Sequence, residues 1–85
     1  MKDETAVLHV QARAPFELYY EGLASSVSAT NKVGRFDILP GHADFFSIIN
    51  PGAVVIETDG EEINIPISNG IVTVKEDQVL LFLNI

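Results

Sequence analysis

Two histidines, twelve acids and no cysteine are what this 85-residue chain offers for chemistry. The densest grouping is Asp37, His42 and Asp44, within the stretch GRFDILPGHADFF. Two carboxylates and an imidazole can hold a divalent metal, and in extended chain His42 and Asp44 face the same way. A zinc site would need a further ligand, and His9 is the only other histidine. The plainer use of His42 is to bond a nearby backbone carbonyl and steady its turn. Ser25, Ser26 and Ser28 have no histidine in local register, and no serine sits in a GxSxG elbow. Glu61-Glu62 and Glu76-Asp77 are paired acids at expected hairpin tips, where solvated charge is the ordinary role. GxxxxGK[ST] and GxGxxG are both absent, and the six glycines fall singly at turns. The sequence therefore favours a binding or structural role over catalysis, with no cofactor and no metal.

The bulk properties narrow the partners. Twelve acids against five bases give a formal charge of −7. A phosphate backbone would be repelled, so nucleic acid is not expected, and anionic lipid surfaces are disfavoured for the same reason. A basic patch on a partner protein suits this charge. No run of 18 apolar residues exists, so no membrane insertion is expected. The amino-terminal MKDETAVLHV carries Asp3 and Glu4 where a signal peptide is basic, which reads as a cytoplasmic chain. Hydrophobic residues make up 47%, enough for one domain over residues 1–85 to hold together by its core alone, without disulfides.

The elements that must position these residues read as strands. Leu8, Val10 and Ala12 alternate with polar neighbours, as do Phe16, Leu18 and Tyr20. Leu23 to Thr30 is a weaker strand of small residues, and Asn31-Lys32-Val33-Gly34 suits a turn. Asp44 to Asn50 could form one short helical turn. Pro51-Gly52 leads into AVVIET. Asp59-Gly60 and Asn69-Gly70 then mark two type I′ hairpins, predicting a three-strand meander through INIPIS and IVTVK. Pro66 cannot donate to a ladder, which places its strand at a sheet edge. The last strand, VLLFLNI, is apolar on both sides: Val79, Leu81, Leu83 and Ile85 on one, Leu80 and Phe82 on the other. One side lines a core, and the other needs a cover. The fold class is all-β, a two-sheet antiparallel sandwich of about ten short strands.

The string G-R-F-D-I-L-P-G-H-A, followed by an apolar pair and then N-P-G-A-V-V-I, resembles the N-terminal β-sandwich domain of the F-type ATP synthase epsilon subunit (delta in mitochondrial naming). The family carries Pro-Gly-His-Ala-Pro after a glycine, an acid, an aliphatic or aromatic residue and a second glycine. The glycine-led S-N-G-I-V-T-V-K and the final QVLLFLNI follow in matching order, so the likeness covers residues 5 to 83. The resemblance implies a non-catalytic rotor subunit of the central stalk that supports ATP synthesis coupled to ion transport. It implies docking on the gamma subunit near the polar loops of the c-ring, at the inner face of the plasma membrane. The implied partner-binding residues are Gly34, Arg35, Phe36, Leu39, Pro40, Gly41, His42, Ala43 and Asp44.

Three residues depart from the family pattern. Arg35 stands where an acid that faces the c-ring loop is usual, Asp37 replaces a glycine, and Asp44 replaces the proline after alanine. Against a basic ring loop Arg35 would be repelled, so the gamma contact transfers more firmly than the ring contact. The family continues into a pair of C-terminal helices, whereas this sequence stops at Ile85. Neither an ATP site nor a helical inhibitory switch is expected in it. The same departures support a second reading, a stand-alone interaction module on this fold outside any ATP synthase.

Overall fold

Stretches of period-two alternation become strands because alternation places one apolar row on one side of a pleated ribbon. The expected row of Phe16, Leu18 and Tyr20 does not hold: Phe16 is fully exposed in the turn before Glu17, and a register shift beside Arg13 leaves Leu18 exposed and Tyr20 packed on the core. The computed structural model describes residues 7–85. Residues 1–6, with the Asp3 and Glu4 used in the amino-terminal reading, lie outside the described residues. In chain order the strands are β1 (Leu8–Ala14), β2 (Glu17–Ala24), β3 (Ser26–Asn31), β4 (Gly34–Ile38), β5 (Phe45–Ile49), β6 (Gly52–Thr58), β7 (Glu61–Ile67), β8 (Asn69–Lys75) and β9 (Gln78–Asn84).

They form two sheets, a five-stranded one in the order β2-β1-β9-β8-β5 and a four-stranded one in the order β4-β3-β6-β7. The facing rows make the core, with Leu8, Ile38, Ile49, Val54, Ile56, Val72 and Leu81 among its fully buried side chains. The two-sheet sandwich is as expected. Within it one pairing is not antiparallel: β1 and β9 run parallel. A parallel pair needs a long crossover, and here the whole of β2 to β8 supplies it. Local pattern fixes which side of a strand is apolar but not the direction of a neighbour remote in sequence.

Three further local expectations are corrected. Asp44 to Asn50 holds no helical turn, since Phe45–Ile49 is strand β5, paired with β8. Its Phe45, Ser47 and Ile49 point inward and Phe46 and Ile48 outward, a period of two that the doubled apolar pairs disguised. Asn69-Gly70 is not a hairpin turn but the first pair of residues of β8. The strand before it, β7, lies in the other sheet, so Ser68 is a crossing between sheets and the predicted meander splits in two. Gly70 serves close approach instead, because a Cβ there would stand 2.8 Å from the Phe82 carbonyl oxygen. Asp59-Gly60 does close the β6–β7 hairpin, but only Gly60 has positive φ, 80°, which is not the type I′ pattern.

Pro66 lies on β7, an edge strand as predicted. The edge strand β5 of one sheet is tied to β4 and β3 of the other. Phe36 and Phe45 pack with ring centroids 5.3 Å apart. Asn31 donates its side-chain amide to Ser47 Oγ at 3.0 Å, and the Asn50 N–H donates to the Thr30 carbonyl at 2.8 Å. Such links turn two open edges into one closed flank.

Candidate partner interface

The segment Leu39 to Asp44 crosses from β4 in one sheet to β5 in the other, at one end of the sandwich. Pro40 presets its own φ, and Gly41 takes the left-handed value of 85°. The His42 N–H then donates to the Leu39 carbonyl at 3.1 Å, closing a turn of the type II pattern. A second tie comes from the β8–β9 turn, where Asp77 Oδ1 accepts the Gly41 N–H at 2.8 Å. The His42 Nδ1 lies 2.8 Å from the Ala43 carbonyl oxygen. A carbonyl can only accept, so Nδ1 carries the proton, and in the neutral ring Nε2 is left as an acceptor. The imidazole also meets the Phe45 ring edge-on, with centroids 5.3 Å apart.

This loop does not sit beside the rest of the predicted set. Gly34 and Arg35 begin β4, next to the β3–β4 turn, where Asn31 Oδ1 accepts the Val33 and Gly34 N–H groups at 2.9 and 3.2 Å. Leu39 lies four positions after Arg35 along extended chain, about 13 Å at the usual rise. Phe36 is half-buried against the core and packs on Phe45 of the strand that follows the loop. Arg35 is exposed and donates Nε to Asp37 Oδ1 at 3.2 Å. Asp37 also accepts the Ser28 hydroxyl at 2.6 Å. These two bonds, that of Ser28 first, hold the Asp37 carboxyl below the usual carboxylate range. Asp37, His42 and Asp44 are therefore not gathered into one site. Among the described residues no three His, Asp or Glu side chains cluster as a metal would require.

The larger feature is the outer face of the five-stranded sheet. Ile48 on β5 pairs in register with Ile71 on β8, and Ile71 with Phe82 on β9. In the next row Phe46, Thr73 and Leu80 stand side by side across the same strands. Phe46 and Ile48 are 64% and 63% exposed, Phe82 49% and Ile71 40%, so the patch is open to water. A groove continues it past Ser47 to Val33 on the β3–β4 turn. On β1 the face turns polar, with Arg13 hydrogen-bonded to Gln11 and Gln11 to Glu21 of β2, while Leu18 and Leu23 are exposed beside them on β2. Leu80 and Phe82 were visible in VLLFLNI as an uncovered side. Phe46, Ile48 and Ile71 were missed, although FFSII shows the same two-sided signature in adjacent apolar pairs.

Charge is divided between the two ends. The β6–β7 and β8–β9 turns and the Leu39–Asp44 loop share one end, because β6 finishes beside the start of β3, opposite the end of β4. Asp44, Glu57, Asp59, Glu61, Glu62, Glu76 and Asp77 all lie there, with Lys75 as the described cation. Lys32, Arg35 and Arg13 lie toward the other end, with Glu17. Near Glu17 the Tyr19 hydroxyl is pushed up, first by burial and then by that carboxylate.

Comparison with known proteins gives a consistent match. The family model for the ATP synthase delta/epsilon chain β-sandwich domain covers residues 7–84. The ATP synthase epsilon chain of Ruthia magnifica is 38% identical over 77 residues, spanning 91% of this chain and 56% of that one. That of Trichlorobacter lovleyi is 31% identical over 67 residues, spanning 79% and 49%. The chain thus spans about half the length of these relatives. Among solved structures, a chain of the Euglena gracilis mitochondrial ATP synthase superposes with a TM-score of 0.85 over 96% of this chain and 53% of its own. A chain from the Tetrahymena thermophila central stalk and c-ring gives 0.80 over 92% and 63%. Both are 18% identical in sequence, a likeness of fold.

Proposed function

Since the chain belongs to the family of ATP synthase delta/epsilon chain β-sandwich domains, we propose that it acts as the sandwich domain of a central-stalk rotor subunit. In this role it performs no catalysis. It docks on the gamma subunit and helps fix gamma to the c-ring, so that rotation couples ion transport to ATP synthesis. In this reading it sits, as a peripheral part of the complex, at the inner face of the plasma membrane. Among the described residues no helix is long and apolar enough to cross a bilayer. The domain proposed for this role is the one that the family model matches over residues 7–84.

The observation that carries this reading is the apolar outer face of β5, β8 and β9. An open row of Ile48, Ile71 and Phe82 beside Phe46 and Leu80 is an uncommon feature for a small soluble domain, and it marks a surface meant to be covered. Gamma is assigned to this face, with the Leu39–Asp44 loop as its margin, where Leu39 and the free Nε2 of His42 are available to a partner. The seven carboxylates at the loop end favour a basic surface on the gamma side. The β3–β4 turn with Gly34 and Arg35 is assigned to the ring loops. Its placement at the opposite end from Leu39–Asp44 supports two separate contacts in place of one.

Calorimetry of the chain with purified gamma from the same organism tests the proposal, with Phe82→Asp, Leu39→Asp and His42→Ala in parallel. One chain bound per gamma, with the largest loss in Phe82→Asp, is the expected result. A folded chain that binds no gamma would leave the stand-alone interaction module as the better reading.

A further inference from the structure

We infer that Asp77 is a positioning residue for the Leu39–Asp44 loop: its carboxylate holds the Gly41 N–H and so sets the surface this loop presents to a partner. The inference rests on the docking role proposed above. It starts from a local rule that the sequence breaks. The β8–β9 turn has a two-residue loop, Glu76-Asp77, between the paired Lys75 and Gln78. Both loop residues have positive φ, 50° and 62°, the type I′ pattern for which Asn-Gly is the usual choice. A side chain with a Cβ is disfavoured in this left-handed region, so glycine at position 77 would suit the backbone better. Aspartate is among the few residues besides glycine that accept this region, and unlike glycine it brings a side chain that can be used elsewhere.

That use is visible 36 residues earlier in the chain, where Asp77 Oδ1 accepts the Gly41 N–H at 2.8 Å. The turn around Gly41 closes through the His42 N–H to the Leu39 carbonyl, which leaves the Gly41 N–H pointing out of its own turn. The carboxylate meets it there with a charge-assisted bond, stronger than a neutral one. Meanwhile the Asp77 backbone carbonyl accepts the His9 N–H at 2.8 Å. That second bond would survive any side chain at position 77, so it cannot explain why an acid stands there. Asp77 thus ties three segments: the hairpin turn and the start of β1 through its backbone, and the loop through its side chain. Leu39 and His42 flank the held amide, so their side chains are oriented by it.

Two variants separate positioning from stability. Asp77→Gly removes the acceptor while relieving the backbone. Asp77→Asn keeps an oxygen acceptor in a side chain that tolerates the left-handed region. In the 15N-labelled chain, Asp77→Gly should speed exchange of the Gly41 amide proton about tenfold, the scale of one charge-assisted bond. Its unfolding midpoint should stay level or rise, and Asp77→Asn should exchange within about threefold of the parent. Affinity for gamma should follow the amide, weakened about tenfold in Asp77→Gly and restored in Asp77→Asn. Unchanged Gly41 exchange in Asp77→Gly overturns the tie itself. Faster exchange with unaltered gamma affinity overturns its role in docking. A parent chain that binds no gamma overturns the docking reading, while the exchange data still decide whether the tie exists.

Discussion

The two outer faces of the sandwich differ far more than its two inner faces. Inside, both sheets present the same kind of row, Val and Ile with some Leu, packed to near-complete burial. Outside, the four-stranded sheet is mostly polar, with Thr30 on β3, Arg35 and Asp37 on β4, Glu57 on β6, and Glu62, Asn64 and Pro66 on β7. Ala53 and Val55 are its apolar members, and Ser26 and Ser28 on the same face are buried. On β5, β8 and β9 the five-stranded sheet shows Phe46, Ile48, Ile71, Leu80 and Phe82. Folding constrains the inner rows, because their residues must fill one shared core. It leaves the outer rows free, so an apolar outer row reflects what the protein meets and not how it folds. The four-stranded sheet even satisfies its own outward groups: Ser28 donates to Asp37, and Ser26 to Glu57 at 3.3 Å.

The sharpest way to break this comparison is to treat neighbouring residues of β9 alike. Leu81 faces the core and is fully buried, whereas Phe82 faces out. Leu81→Ala should lower unfolding stability by about 2–5 kcal/mol in a denaturant titration. Phe82→Ala should lower it by less than about 1 kcal/mol, and equal losses would mean that the outer face is not distinct. For binding the order reverses. Phe82→Asp should weaken gamma binding by about 2 kcal/mol, roughly thirtyfold. A charge added to the opposite face, Asn64→Asp, should alter it by no more than about 0.5 kcal/mol; a comparable loss there would move the interface to the four-stranded sheet.

Gly70→Ala probes the join between core and outer face. Its Cβ would press on the Phe82 carbonyl at 2.8 Å and on Leu83 Cδ2 at 3.2 Å, displacing β9 backbone. A loss of about 1–2 kcal/mol in stability is expected, and a neutral outcome would show that β9 yields easily. The smallest effect belongs to the polar face and concerns pH. The Ser28 and Arg35 bonds lower the folded pKa of Asp37. The stability that this shift contributes is therefore complete above the ordinary carboxylate range and is lost as pH falls through the folded value. Asp37→Asn should flatten that part of the acid limb in denaturation curves taken at successive pH values. A limb unchanged by the substitution would remove Asp37 from the account.

Much of this was legible in the chain, and the parts that were not share a cause. Alternation in Leu8 to Ala12 and in AVVIET announced strands, Pro66 announced an edge, and the apolar outer side of Leu80 and Phe82 was readable in VLLFLNI. The stretch from Gly34 to Asp44, with the later strands in matching order, carried the family resemblance and nine candidate contact residues. The sequence could not show that Gly34 and Arg35 lie at the far end of β4 from that loop, or that Phe36 faces inward. It hid Phe46 and Ile48 behind their inward-facing neighbours Phe45 and Ile49, where an expected helical turn masked a strand.

Sequence alone determined what each strand must bury, because side-chain alternation is a property of a single ribbon. It also determined the backbone of the Pro40-Gly41 turn, since φ preferences belong to individual residues. Only the tertiary structure decided which strands are neighbours: β1 beside β9 in parallel, and β7 and β8 in different sheets despite an Asn-Gly between them. From that decision follow the row from Ile48 to Phe82 and the bond from Asp77 to Gly41. Each joins residues that are distant in the chain, and long-range pairing depends on the packing of the whole core, which no local pattern encodes.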